Sequence, residues 1–191
     1  MPKILAFSGS IRRDSWNRKL IQAAADAARA AGGNVTQIDL ADYPLPLYNG
    51  DHEDRYGLPD NVQRLKALFK NHDAFLIAGP EYNGSIAPLL KNTLDWVSCE
   101  WQGESGRVPY QNKVAALLSA SSETFGGIRM LPHLRQVLST LGVLVLPSQF
   151  SLAHADKAFD EENGALKSPA QLHAMVLELV RITKTLASSA G

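Results

Sequence analysis

Ser8, Ser10, Arg12, Arg13, Ser15 and Asn17 crowd a short segment near the start of the chain, between the apolar run Ile4–Phe7 and an Ala-rich stretch. The run reads as a buried strand and the Ala-rich stretch as a helix. A strand, a polar loop and a helix in that order make an anion site, because the first N–H groups of a helix have no partner within it and the helix dipole favours negative charge there. The serines add hydroxyl donors, Asn17 an amide, and Arg12 or Arg13 a guanidinium fork. The plainer alternative is an N-cap with solvated arginines around it. The loop is neither GxGxxG nor GxxxxGK[ST], so the dinucleotide and nucleoside-triphosphate fingerprints are absent. A cradle for a monophosphate remains.

Two further loops carry chemistry. In Gly79–Ser85, Pro80 and Gly84 flank Glu81, Tyr82 and Asn83. Proline fixes the backbone and glycine relaxes it, so peptide groups can face a ligand beside the flat Tyr82 ring. Glu81 has no histidine or second carboxylate beside it in the motif and is assigned no acid–base role. In Ser119–Gly127, serines, Phe125 and a glycine pair precede a helix. Its N–H and hydroxyl groups suit the edge of a heterocycle, or simply cap the helix. Phosphate at the first loop and a planar polar ring between the other two is a layout that fits flavin mononucleotide (FMN).

The elements that must position these loops follow from periodicity. Helices are expected over Arg18–Ala31, from Asp60 to about Asn71, after Pro88 to about Ser98, over Ile128–Leu141, and from Ser168-Pro169 to about Ala187. Strands are expected at Ile4–Phe7, at Asn34–Leu40 as an edge, and at Ala74–Ala78, Val114–Leu118 and Val143–Leu146. Residues 41–59 read as a long loop over one rim of the site, and 148–167 as irregular with one helical turn. Five strands alternating with five helices give an α/β fold: a three-layer, doubly wound sandwich around a five-stranded parallel sheet. The flavodoxin-like order 2-1-3-4-5 places ligands beyond the carboxyl ends of the strands, where the three loops would meet. Residues 1–191 are expected to form a single domain.

Composition narrows the function. Lys plus Arg and Asp plus Glu number 19 each, a balance that gives no support to a nucleic-acid binder or to an acidic carrier docking by charge. Cys99 is the one cysteine, so an internal disulfide and a Cys-based zinc cluster are excluded. No apolar run reaches membrane-spanning length and no signal-peptide pattern opens the chain, which fits a cytoplasmic protein. No GxSxG elbow supports a serine hydrolase.

The stretches SGSIRRDSWN, PEYNGSIAPLLKNTLDWVS and FGGIRMLPHLRQVL resemble the NADPH-dependent FMN reductase family, which includes bacterial quinone and chromate reductases. The resemblance thins after Phe150. It implies that Ser10, Arg12, Ser15 and Asn17 hold the FMN phosphate. Pro80, Glu81, Tyr82 and Asn83 would line the isoalloxazine, and the loop with Ser119, Ser121 and Gly126 would border its far edge. It also implies NADPH or NADH as co-substrate, a small-molecule acceptor (quinone, azo compound, metal oxyanion or free flavin) and a homodimer or homotetramer. The family pattern places proline directly after Ser-Ile, whereas here Ala87 intervenes before Pro88, which bears on the start of the third helix. A flavodoxin-like electron carrier and an FMN-binding regulatory module are the alternatives. Arg13, Arg18 and Arg107 are candidates for a 2′-phosphate. Cys99, Phe69 and Trp96 read as packing residues, and the five histidines show no metal spacing. Arg129, His133 and Arg135 read as a solvated face or, by the resemblance, as contacts across a dimer interface.

Overall fold

In a computed structural model that describes residues 1–189, the chain runs β1 (Lys3–Ser8), α1 (Trp16–Ala30), β2 (Asn34–Ile38), α2 (Gly50–Tyr56), α3 (Asp60–Asn71), β3 (Ala74–Ala78), β4 (Glu81–Tyr82), β5 (Ser85–Ile86), α4 (Pro88–Val97), β6 (Val114–Ala120), α5 (Met130–Thr140), β7 (Leu144–Leu152), α6 (Ala155–Ala158) and α7 (Ala170–Ser189). The main sheet is parallel in the order β2-β1-β3-β6-β7. With the β4–β5 hairpin set aside, this is the doubly wound 2-1-3-4-5 order expected from the sequence.

The three central strands are apolar through their middles because they are covered on both faces. Every residue of β3 and β6 is buried. Alternate residues serve opposite layers: Ile4 and Ala6 pack with α1 and α7, while Leu5 and Phe7 pack with α3, α4 and α5. Phe69 and Trp96 are fully buried, as their helical spacing implies. Pro88 stands at the first position of α4, where its missing N–H costs nothing, and Lys91 N donates to Ala87 O. The extra alanine therefore leaves a regular start to the helix.

Two expectations need correction. The last strand does not stop at Leu146 but runs to Leu152 through an irregularity: Val145 pairs with Ala115, and the ladder resumes with Gln149 opposite Leu117. An edge strand tolerates Pro147 in such a bulge. The Arg135 guanidinium donates to the carbonyls of Val145, Leu146 and Pro147, satisfying groups the interrupted ladder leaves free. Residues 41–59 are not a loop over the site. They begin inside a 3₁₀ turn, Leu40–Asp42, include the helix α2, and are fastened to α4. Tyr48 N donates to Asn92 Oδ1 at 2.8 Å, and Trp96 Nε1 and Asn92 Nδ2 both donate to Pro46 O. No described helix is long and apolar enough to cross a membrane.

Candidate functional site

The loops after β1, β3 and β6 leave the same edge of a parallel sheet, so their residues converge. Ser10, Arg12, Ser15, Asn17, Pro80, Glu81, Tyr82 and Ser121 line one cleft of about 260 Å³, together with Asp14, Trp16, Ala120 and Ser122. These four lie within the loops singled out by sequence but are not named individually there, since nothing about an alanine or a lone tryptophan marks a cleft. None of residues 41–59 lines it.

The phosphate loop is built by its own polar groups. Ser10 N donates to Ser8 Oγ, and Arg12 N to Ser10 Oγ, curling the chain toward the helix. Ser15 sits at the N-cap of α1 with extended backbone angles, yet its side chain makes no capping bond. Its hydroxyl is thus uncommitted, and the N–H groups of Trp16 and Asn17 have no partner among the described residues. Arg12 has no ion pair among them either. This donor set fits a phosphate monoester; of the two carboxylates on the cleft wall, Asp14 opposes it and Glu81 is paired with Arg129.

Glu81-Tyr82 and Ser85-Ile86 form a two-rung hairpin closed by Asn83-Gly84. Both turn residues have positive φ, 51° and 79°, the conformation that an Asn-Gly pair adopts at least cost. The turn carries Asn83 away from the cleft and leaves Tyr82 beside it, 53% exposed. So small a hairpin is not stable alone; α5 holds it. The Glu81 carboxylate accepts from Arg129 N at 2.9 Å and from Arg129 Nε at 2.5 Å, and Ser85 Oγ shares a 2.9 Å hydrogen bond with His133 Nδ1. The Arg129 guanidinium also lies over the Phe125 ring. Arg129, His133 and Arg135 are therefore not a purely solvated face: each has an intrachain role. With Glu81 fastened to Arg129, no free carboxylate at the hairpin is poised for proton transfer.

The third loop divides differently from expectation. Ser119 belongs to β6 and is fully buried, its Oγ without a partner among the described residues. A Cβ on Gly127 would come within 3.3 Å of that Oγ, so the glycine lies directly over it. Gly126 is buried against β7: a Cβ there would sit 2.6 Å from Ser151 Oγ and 2.7 Å from Ala153 N. It permits close packing and does not face the cleft. Ser121 does, and its Oγ accepts from Glu123 N.

A larger groove of about 990 Å³ lies on the other flank of the first loop, between α1, the end of β2 and residues 163–173, and shares Ser15 with the cleft. Its arginines are Arg13 and Arg18, and Arg18 is paired with Asp39 at 2.5 Å. Arg107 follows α4 and precedes β6, which puts it at the amino edge of the sheet, opposite the site.

A parallel sheet of this order, with its crevice at the switch point between β1 and β3, defines a flavodoxin-like α/β protein. The profile of the family described as NADPH-dependent FMN reductase matches residues 2–157. The chain is 37% identical over 190 residues to the NAD(P)H-dependent FMN reductase of Pseudomonas aeruginosa, covering 94% of this chain and 96% of that protein. It is 37% identical over 139 residues to an NADPH:quinone oxidoreductase of Arabidopsis thaliana, covering 71% of this chain and 65% of that one. Among solved structures, the flavoenzyme NAD(P)H:(acceptor) oxidoreductase FerB of Paracoccus denitrificans superposes with a TM-score of 0.79. Identity to FerB is 26%, over 97% of this chain and 98% of that one. The chain belongs to the NADPH-dependent FMN reductase family.

Proposed function

We propose that this protein is an FMN-dependent NAD(P)H oxidoreductase acting by a ping-pong cycle on a small-molecule acceptor: a quinone, an azo compound, a metal oxyanion or free flavin. The observation that carries the reading is the uncommitted donor set at the start of α1, Ser15 Oγ and the Trp16 and Asn17 N–H groups, facing Pro80–Tyr82 across a single cleft. Ser10, Arg12 and Ser15 bind the phosphate. Pro80, Glu81 and Tyr82 border the ring on one side and Ala120–Ser122 on the other. The redox chemistry, hydride accepted from NAD(P)H and reducing equivalents passed on, is what FMN supplies when bound. The residues' share is to orient the cofactor, to keep one edge dry and to offer donors where negative charge develops. No side chain has to act as acid or base.

The exposed apolar side chains of Tyr82 at the cleft and of Phe125 and Ile128 at the end of the third loop favour a second copy of the chain over this side of the molecule, in a cytoplasmic homodimer or homotetramer. The decisive experiment is a visible spectrum of the purified protein, followed by steady-state NADPH oxidation with a quinone. A yellow protein bleached by NADPH and recoloured by the quinone, with parallel double-reciprocal lines, is the expected result. A bound flavin that NADPH does not bleach would make the protein a carrier or a regulatory module, and intersecting lines would remove the ping-pong cycle.

A further inference from the structure

Asn17 was expected at the phosphate, and the structure gives its side chain another task. It is the second residue of α1 and only 3% exposed. Its Nδ2 donates to Ala120 O and its Oδ1 accepts from Ala120 N–H, both at 2.9 Å. The sheet explains why those two backbone groups are available. Gly79 N donates to Leu118 O, whereas Ser121 N donates to Leu152 O. Along β6, then, the peptide groups of Leu118 and Ala120 face β3, and those between them face β7. The β3–β6 pairing ends with Ala78 opposite Leu118, and beyond Gly79 the chain leaves the sheet, Glu81 pairing with Ile86 in the β4–β5 hairpin. Ala120 is left with a donor and an acceptor pointing at a strand that has stopped. The Asn17 amide presents one donor and one acceptor in a plane and takes the strand's place.

We propose that Asn17 is a positioning residue and not a phosphate ligand: it holds the Ala120–Ser122 edge at a fixed distance from the phosphate loop, so that both ends of the cofactor are gripped in one geometry. The inference rests on the FMN reading above. The amide oxygen and one of its two N–H groups are engaged by Ala120. The side chain lies where a change must be felt by the third loop, which borders the ring.

Riboflavin, which lacks the phosphate, separates the two roles. Apoprotein affinities for FMN and riboflavin are measured by calorimetry in the parent, Asn17→Ala, Asn17→Asp and, as the phosphate-side control, Arg12→Ala. Asn17→Ala should weaken both flavins by the same factor, about tenfold to a hundredfold, and at saturating flavin should shift the visible band of the bound ring. Arg12→Ala should weaken FMN alone and leave the band in place. Asn17→Asp keeps the side chain's shape and its acceptor but sets a carboxylate oxygen against Ala120 O, so it should weaken riboflavin as well, and FMN further, because the new charge stands on the phosphate side of the cleft. A general loss of stability would also weaken both flavins equally, so the visible band at saturating flavin decides between them: a shifted band is expected, and an unshifted band overturns the proposal. An Asn17 variant that loses FMN but holds riboflavin, or that loses neither, overturns the proposal while the FMN reading stands. A parent protein that binds neither flavin overturns both.

Discussion

Ser15 tests the division between capping and binding at a single atom. An N-cap serine that bonds the helix loses about 1 kcal/mol of stability when replaced by alanine. Here the position is that of a cap and the bond is absent. Ser15→Ala should therefore leave the urea midpoint of the apoprotein unchanged while weakening FMN, and a fall in apoprotein stability near the capping value would return Ser15 to a purely structural role. Arg12→Ala should cost FMN about 1.5–3 kcal/mol, the usual range for a charge-assisted bond, with apoprotein stability again unmoved, since Arg12 has no ion pair among the described residues to lose. Residue types announced these two side chains because hydroxyls and guanidinium groups ahead of a helix suit an anion, although the same types also serve as a cap and a solvated charge. They could not announce Asn17, whose partner is a backbone 103 residues away. Nor could they place Ser119: it lies one residue past the apolar run Val114–Leu118, and its burial depends on β6 continuing to Ala120.

Among the elements, the hairpin and α5 depend on each other. Glu81 accepts from the backbone N–H of Arg129 at the N-cap of α5 as well as from its guanidinium, and its side chain is 8% exposed against 62% for Arg129. The two halves of this ion pair are unequal. Arg129→Ala removes a solvated partner and should cost less than about 1 kcal/mol. Glu81→Ala strips the helix of its capping acceptor as well and should cost about 1–2 kcal/mol. Urea unfolding of the two variants checks the order, and a larger loss from Arg129→Ala would show that the backbone bond contributes little. The Asn-Gly signature of this hairpin stood in the sequence, but two-residue strands give no alternation to read. Helix α2 was hidden for a related reason. Its sequence, GDHEDRY, has no buried residue and hence no apolar period. What makes it a helix is capping: Asn49 accepts from Asp51 N, acids fill the first turn, Arg55 lies in the last, and Gly57 closes it at φ 71°. The central strands were legible because burial on both faces writes itself as an unbroken apolar run. The bulge in β7 was not, because Pro147 reads as a terminator until Arg135 is seen to satisfy the carbonyls around it.

At the scale of the whole molecule, the packing of α2 against α4 sets how the fold responds to alkali. Burial, with a hydrogen bond to Glu53, pushes the Cys99 thiol from 9.0 up to about 12. The hydrogen bond to Glu53, with burial, raises Tyr48 from 10.0 to about 12. Below about pH 9 both groups are protonated whether the chain is folded or not, and their contribution to stability is complete. Between pH 9 and 12 the unfolded chain releases protons that the folded one retains, so stability must fall as pH rises. Lys66 and Lys113 oppose this. Burial lowers both from 10.5, because their ammonium groups are drawn inside to bond carbonyls: Val97 and Cys99 at the end of α4, Lys70 and His72 at the end of α3. As these lysines lose charge with rising pH, the folded state gains relative to the unfolded one, which still binds the proton. The net slope mixes both signs, so the clean observable is a difference. Parent minus Cys99→Ala, from urea unfolding at about pH 8 and about pH 10.5, cancels Lys113 to first order and reports on Cys99 with its neighbours Tyr48 and Lys66. That difference should shrink with rising pH, and Cys99 should resist a thiol reagent at about pH 8 until the chain unfolds. A difference that grows with pH, or a thiol that reacts at once in the folded protein, would mean that α2 does not stay closed over α4 in solution.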